Sequence, residues 1–151
     1  MSVTLLLVPL AVAGATAAKA AMDRRADGPT ICQVHTRMRD RTLLAEALRD
    51  TGALVTVTGE TLTAAWRQPD IDATFTRDAD GIWAAHLTGV AQEQAVRLVT
   101  AVDAAYGRQV QRAVLTRLRE QAPVAGLRLE SESVQDDASV RLVFEVERER
   151  A

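Results

Sequence analysis

A long amphipathic stretch between Gln92 and Gln121 constrains the fold of this chain more than any other feature. Apolar side chains recur in it in steps of three and four, which predicts a helix with one apolar face. Gly107 lies inside the run and costs about 1 kcal/mol relative to alanine, which a packed helix tolerates. A helix with such a face must be covered by another element. The apolar stripe consists of Ala95, Val99, Val102, Tyr106, Val110, Val114 and Leu118.

Short strand-like segments precede and follow this helix in the sequence. A second, shorter helix is predicted over Arg41–Asp50, with Asp40 as its N-cap and Gly52 just past its end. Asp80-Gly81 predicts a tight type I′ hairpin turn, in which both central residues have positive φ. The predicted strands cover residues 31–36, 54–57, 61–67, 71–76, 82–87, 127–130 and 140–146.

The order of the predicted elements is strand, helix, four strands, helix, two strands. Consecutive strands on short connections favour antiparallel pairing, so the sequence predicts an α+β fold. We expect an antiparallel sheet of about six strands, covered by the short and the long helix. The turn signal Asp27-Gly28-Pro29 separates an apolar N-terminal helix, residues 1–26, from a single α+β domain, residues 27–151.

The N-terminal segment is apolar and carries no charge from Ser2 to Ala18. A cleaved secretory signal is one interpretation, but its basic start is missing. A membrane anchor is the second, since a span needs about 17–25 apolar residues. The third is a helix that packs on its own domain or on another copy. The residues expected to insert into a membrane or an oligomer interface are Leu5, Leu6, Leu7, Leu10 and Val12.

The charges that follow this segment bear on localisation. Lys19, Arg24 and Arg25 lie on its C-terminal side, and positive residues favour the cytoplasmic side of a membrane. Cys32 is the single cysteine, so no intrachain disulfide requires an oxidising compartment. We therefore expect a cytoplasmic domain, anchored to the inner membrane by its N-terminus if the segment inserts.

Composition and spacing argue against several chemistries. A net charge of −2, from 18 basic and 20 acidic residues, disfavours nucleic-acid binding. Cys32 and His35 are three apart, which places them on opposite faces of a strand, and only His86 could join them as a metal ligand. No phosphate-binding glycine loop or nucleophile triad is present in the sequence. We expect no enzyme activity, no cofactor and no metal.

Acidic and aromatic residues have structural explanations. Asp78-Ala79-Asp80-Gly81 resembles the start of a calcium loop, but Gly89 stands where the loop needs a glutamate, so turn formation explains it better. Trp66 and Trp83 are expected in the core or on a sheet face, and an exposed one would mark an interface. Arg37, Arg39 and Arg41 form a short basic run before the first helix, either a solvated loop or a docking patch for an acidic partner.

Five segments between about Thr30 and Glu147 carry a resemblance to a known family, and they are Cys32–Asp40, Ala47–Gly52, Asp78–Trp83, Ala105–Gly107 and Ser139–Val143. Together they resemble a family of uncharacterised proteins of cyanobacteria and red-algal plastids. That family was named as a hypothetical chloroplast reading frame and carries a domain-of-unknown-function label. The resemblance implies no catalytic residues, and it implies an accessory role because family members tend to be encoded beside AAA-type or MoxR-like ATPases. The N-terminal segment departs from the family pattern.

These observations lead to two functional expectations. The first is a non-catalytic accessory module that works with a protein partner, which the resemblance implies to be an AAA-type ATPase. The alternative is a self-assembling structural protein that uses its N-terminal helix for oligomerisation or membrane insertion.

Overall fold

The computed structural model describes residues 2–7, 22–23 and 31–147, and it shows an α+β fold with two helices and antiparallel sheets. The chain divides into two compact units. The larger unit is Val12–Tyr106, and the smaller unit is Met1–Ala11 together with Gly107–Ala151. The predicted domain boundary at residue 27 lies outside the described residues.

Seven of the elements lie entirely in the larger unit. They are β2 (Met22–Asp23), β3 (Ile31–His35), α1 (Arg41–Asp50), β4 (Leu54–Thr58), β5 (Thr61–Arg67), β6 (Asp70–Arg77) and β7 (Trp83–Thr88). The helix α2 (Gln92–Gln121) follows them and continues into the smaller unit. Five strands form an antiparallel sheet in the order β3-β7-β6-β5-β4, with β2 paired to the other edge of β3.

The start and the end of α1 follow from its flanking residues, as predicted. The side chain of Asp40 accepts a hydrogen bond from the Leu43 backbone N–H at 2.9 Å, which satisfies one of the free donors at the helix start. Gly52 has φ +86°, a conformation that glycine adopts without steric cost. Leu44 and Leu48 are fully buried, so one face of the helix packs into the core.

The two hairpins of this sheet turn in different ways. Gly59 begins the two-residue β4–β5 turn with φ +58°, and Glu60 has no positive φ, which fits a type II′ turn. The β6–β7 hairpin is confirmed, but its turn is not the predicted two-residue type I′. Arg77 pairs with Trp83, leaving a five-residue loop in which Gly81 alone has positive φ. Two hydrogen bonds from Asp80 and Ile82 to the Asp78 carboxylate stabilise this longer loop.

The core of the larger unit forms from alternating strand residues and one face of each helix. Ile71, Ala73 and Phe75 are buried while Asp72 between them is exposed, as the alternation predicted. The two tryptophans are also buried, which confirms their predicted place in the core. Ala95, Val99 and Val102 of α2 complete the same cluster.

The smaller unit contains a second sheet, which corrects the prediction of one sheet of about six strands. Its strands are β8 (Leu127–Val134), β9 (Val140–Val146) and β1 (Ser2–Leu7), which pairs along β9. Val140, Leu142 and Phe144 of β9 are buried. The 30 residues of α2 make a helix about 45 Å long, whereas an eight-residue strand spans about 27 Å. The helix is therefore longer than any strand of either sheet.

The N-terminal prediction is only partly visible in this structure. Leu5, Leu6 and Leu7 belong to the strand β1, so these residues are not the first turns of a helix. Their backbone pairs with β9, opposite Leu142, Arg141 and Val140. Leu10 and Val12, with the rest of the predicted N-terminal helix, lie outside the described residues.

The helix α2 has its predicted bounds, but its apolar stripe does not continue as predicted. Val102 is fully buried and Tyr106 is half-buried, yet Val114 is 37% exposed while its neighbour Leu115 is only 7% exposed. Leu115 and Ala122 belong to the cluster of the smaller unit, together with the buried residues of β9. The helix therefore buries one set of residues in each unit, and a single stripe does not describe both.

Candidate docking site at the arginine loop

The basic run predicted from the sequence lies on a loop that connects β3 to α1, here called the arginine loop and defined as residues 36–41. The loop forms hydrogen bonds with the first residue of β7. The Trp83 backbone N–H donates to the Met38 carbonyl at 2.9 Å, and the Thr36 hydroxyl donates to the Trp83 carbonyl. The Met38 side chain is fully buried. The loop thus extends the pairing of β3 with β7 and inserts a core residue in its middle.

The phenol of Tyr106 forms the second attachment. Its hydroxyl oxygen accepts from the backbone N–H of Arg39 at 3.3 Å and from that of Asp40 at 3.0 Å. These donors lie where the chain enters α1, so the tyrosine fixes the path of the backbone into the helix. Tyr106 is the only tyrosine in the chain. A half-buried tyrosine needs a partner for its hydroxyl, and here that partner is the loop.

The carbonyl of Arg39 forms the third attachment. It accepts from the Trp83 indole N–H at 3.3 Å and from the Arg77 guanidinium at 3.4 Å. Arg77 also donates to the Gly81 carbonyl at 3.1 Å, which ties the loop to the β6–β7 hairpin. Both backbone polar groups of Arg39 are therefore occupied, and its position is set by side chains from three elements.

The three predicted arginines are all exposed on this fixed backbone. Arg37 forms an ion pair with Asp103 of α2 at 3.2 Å. Arg41 donates to the Gly59 carbonyl in the β4–β5 turn at 3.3 Å. Within residues 31–147, nothing accepts a hydrogen bond from the guanidinium of Arg39. Arg39 is therefore the member of the group best placed to bind a partner.

The arrangement suits recognition of carboxylates. An arginine presents a planar fork of donors that matches a carboxylate, and such charge-assisted bonds are the stronger ones. A single exposed ion pair contributes only about 0–1 kcal/mol, so one arginine alone gives little affinity. A backbone that is already ordered reduces the entropy lost on binding. The loop can therefore act as a preformed basic surface.

Three segments that are far apart in the sequence meet at this loop. The first, Cys32–Asp40, contains most of the loop itself. The second is the hairpin Asp78–Trp83, which supplies Trp83, and the third is Ala105–Gly107, which supplies Tyr106. Residues far apart in the sequence thus form one hydrogen-bonded cluster around Arg39.

The residues considered for catalysis or metal binding are not brought together. Cys32 is 4% exposed, and burial raises the pKa of its thiol, which disfavours the reactive thiolate. His35 is exposed on the opposite face of β3. His86 is half-buried on β7, with its Nε2 3.0 Å from the Thr76 hydroxyl. Among the described residues, no three histidine, cysteine or acidic side chains form a group that could hold a metal.

Sequence reasoning identified the arginines but not the residues that hold them. Tyr106 was assigned only to the apolar stripe of the long helix, and Trp83 only to the core. The Tyr106 hydroxyl and the Trp83 indole N–H could have indicated such contacts, because a buried phenol or indole N–H needs a hydrogen-bond partner. The sequence does not indicate that the partner is the backbone of Arg39 and Asp40, more than 40 residues away.

Comparison of the chain with protein-family models, with curated proteins and with solved structures gave no match. Of the helices formed by the described residues, none is both long and apolar enough to cross a membrane.

Proposed function

We propose that this protein is a non-catalytic accessory module that docks to an acidic surface of a protein partner through the arginine loop. One observation carries the proposal: the backbone of Arg39 is held on both sides while its charged side chain is exposed. The hydrogen-bonded loop serves to present the arginines in a constant arrangement.

The partner that we propose is an AAA-type ATPase, the class that the family resemblance implies. An acidic patch on such a partner would pair with Arg39 first and with Arg37 and Arg41 around it. Because the contact is charged, binding should weaken as the salt concentration rises. The module would contribute position and specificity, while the partner would supply the nucleotide chemistry.

The test begins with the tagged full chain, purified from its own cells after mild crosslinking, with the bound proteins identified by mass spectrometry. The recovered partner is then titrated by calorimetry with the wild-type chain and with Arg39→Glu. We expect Arg39→Glu to weaken binding by about tenfold or more, which corresponds to about 1.4 kcal/mol.

Arg97→Glu is the matched control, because it makes the same change of charge on the exposed face of α2, where the Arg97 side chain is 77% exposed. Its affinity should stay within about twofold of the wild type. If both variants lost the same affinity, the change of net charge alone would explain the effect, and the docking site would be overturned. Recovery of no ATPase would overturn the proposed partner.

A further inference from the structure

The edge of the larger sheet at β4 offers a second surface, distinct from the arginine loop. β4 is the last strand in the sheet order, and among the described residues no strand pairs with its outer edge. Its sequence is Leu-Val-Thr-Val-Thr, without a charge, a proline or a bulge. Leu54 is 61% exposed and Val57 is 45% exposed. Exposed edge strands ordinarily carry charges, prolines or bulges that prevent pairing with another chain, and β4 has none of these.

The hairpin geometry fixes which backbone groups point outward. The β4–β5 turn has two residues, so its closing pair, Thr58 and Thr61, is the hydrogen-bonded kind. Hydrogen-bonded and non-hydrogen-bonded pairs alternate along an antiparallel ladder, so Thr56 and Thr63 are also hydrogen-bonded. The N–H and C=O groups of the residues between them, Val55 and Val57, therefore point away from β5.

We propose that β4 pairs with β4 of a second copy of this chain, antiparallel and with the two-fold axis at Thr56. In this register Val55 of one copy lies opposite Val57 of the other, and the two exchange N–H···O bonds in both directions. The symmetry-related pair, Val57 of the first copy with Val55 of the second, forms two more such bonds. The contact therefore contains four backbone hydrogen bonds. Thr56 faces Thr56 in a non-hydrogen-bonded pair, with Cα atoms about 4.5 Å apart.

Self-pairing is favoured because the strand is complementary to itself. Val55 and Val57, whose backbone groups point outward, lie one position on either side of Thr56. A two-fold axis at Thr56 therefore places each outward N–H of one copy opposite an outward C=O of the other. Side chains also match by face, since Val55 meets Val57 on the core side and Leu54 meets Thr58 on the other. No charged residue of β4 is brought against its own copy. A two-fold contact closes on itself and leads to a dimer.

The expected dimer is weak and reversible, because one five-residue strand makes a small interface. It would join two larger sheets into one continuous sheet. The β4 edge contains none of the three arginines, although Arg41 donates to the Gly59 carbonyl one residue beyond β4. The dimer and the docking function are tested by different substitutions, Thr56→Lys and Arg39→Glu.

Sedimentation velocity of the full chain, at concentrations from about 1 to 100 µM, tests the dimer. The wild-type protein should show a concentration-dependent monomer–dimer equilibrium. Thr56→Lys places two like charges across the axis and should weaken the dimer by about tenfold or more, and Thr56→Glu should do the same. An equimolar mixture of the two variants should restore dimers, because lysine then faces glutamate.

Thr63→Lys is the control, because Thr63 is exposed, pairs with Thr56 and lies on the same face one strand further in. It should leave the dimer unchanged, and circular dichroism should show that each variant is folded. A dimer that Thr63→Lys weakens equally would use the sheet face and would overturn pairing through the edge. A wild-type protein that stays monomeric, or variants whose mixture does not re-form dimers, would also overturn the proposal.

Discussion

Within residues 31–147, the larger unit buries nineteen residues in one apolar cluster, whereas the smaller unit buries five. The larger cluster draws on two helices and on four strands, β3, β5, β6 and β7, and the half-buried Val55 of β4 packs against it. The cluster of the smaller unit consists of Leu115, Ala122 and three residues of β9. Around it, the ion pairs Arg119–Glu132 and Arg128–Glu145 join α2 to β8 and β8 to β9.

The two units also hold their loops differently. In the larger unit the arginine loop is held by side chains from α2, β6 and β7. In the smaller unit the β8–β9 loop is held mostly by bonds within the loop. The Ser139 backbone N–H donates to the Asp137 carboxylate at 2.9 Å. Gln111 of α2 adds one bond to the Ala138 carbonyl. The arginine loop is thus held by bonds to elements distant in sequence, whereas the β8–β9 loop is held mainly by local hydrogen bonds.

The largest expected effect comes from truncating a core aromatic in each unit. Phe75→Ala should lower the free energy of unfolding by about 3–5 kcal/mol, because Phe75 is 1% exposed and its surroundings cannot collapse into the cavity. Phe144→Ala should fall at or below the lower end of that range, because within residues 31–147 the cluster around Phe144 has fewer buried members than the cluster around Phe75. Urea unfolding followed by circular dichroism measures both. Equal losses would contradict the difference in packing between the units.

Tyr106→Phe is expected to have an intermediate effect. It keeps the ring in the helix stripe but removes the acceptor for two backbone donors, which should cost about 1–2 kcal/mol. Hydrogen exchange should show faster exchange at the Arg39 and Asp40 amides, while the Leu48 amide inside α1 stays protected. Unchanged exchange at the two loop amides would show that the tyrosine does not hold the arginine loop.

The smallest effect concerns the β8–β9 loop and depends on pH. The hydrogen bonds from the Ser139 side chain and then from its backbone N–H hold the pKa of Asp137 below its usual value. A carboxyl whose pKa is lowered by folding stabilises the folded state when ionised, and that contribution is lost as the pH falls through its folded pKa. Asp137→Asn should therefore be less stable than wild type near pH 6, by an amount that shrinks toward about pH 3.

Urea midpoints of the two proteins across this range measure the effect, with Asp136→Asn as the neighbouring control. A difference between wild type and Asp137→Asn that stays constant with pH would show that the charge of Asp137 is not what stabilises the loop.

The elements of the fold could largely be read from local patterns in the sequence. Asp40 and Gly52 mark the ends of α1 by capping chemistry, and the alternation around Phe75 marks a half-buried strand. Features that depend on residues distant in sequence were not predicted. The division into two sheets was not predicted, because the alternation of residues within a strand does not indicate which other strand it pairs with. The change from Val114 to Leu115 as the buried position was missed for the same reason, since period alone does not reveal a second core.

The candidate site shows the same limit. The spacing of Arg37, Arg39 and Arg41 indicates a basic run, because only local sequence is needed to see it. The bonds from Tyr106, Trp83 and Arg77 that fix this run join residues 38 to 67 positions apart. The type of the β6–β7 turn was missed because the Asp78 carboxylate stabilises a longer loop than Asp80-Gly81 alone suggests.

The placement of the two tryptophans has an optical consequence. The chain has only Trp66 and Trp83, and both are buried in the larger unit. Intrinsic indole emission therefore reports on that unit alone, and the smaller unit is silent at the same wavelengths. Because the Trp83 indole N–H bonds to the Arg39 carbonyl, this emission is also a label-free sensor of any event that moves the arginine loop.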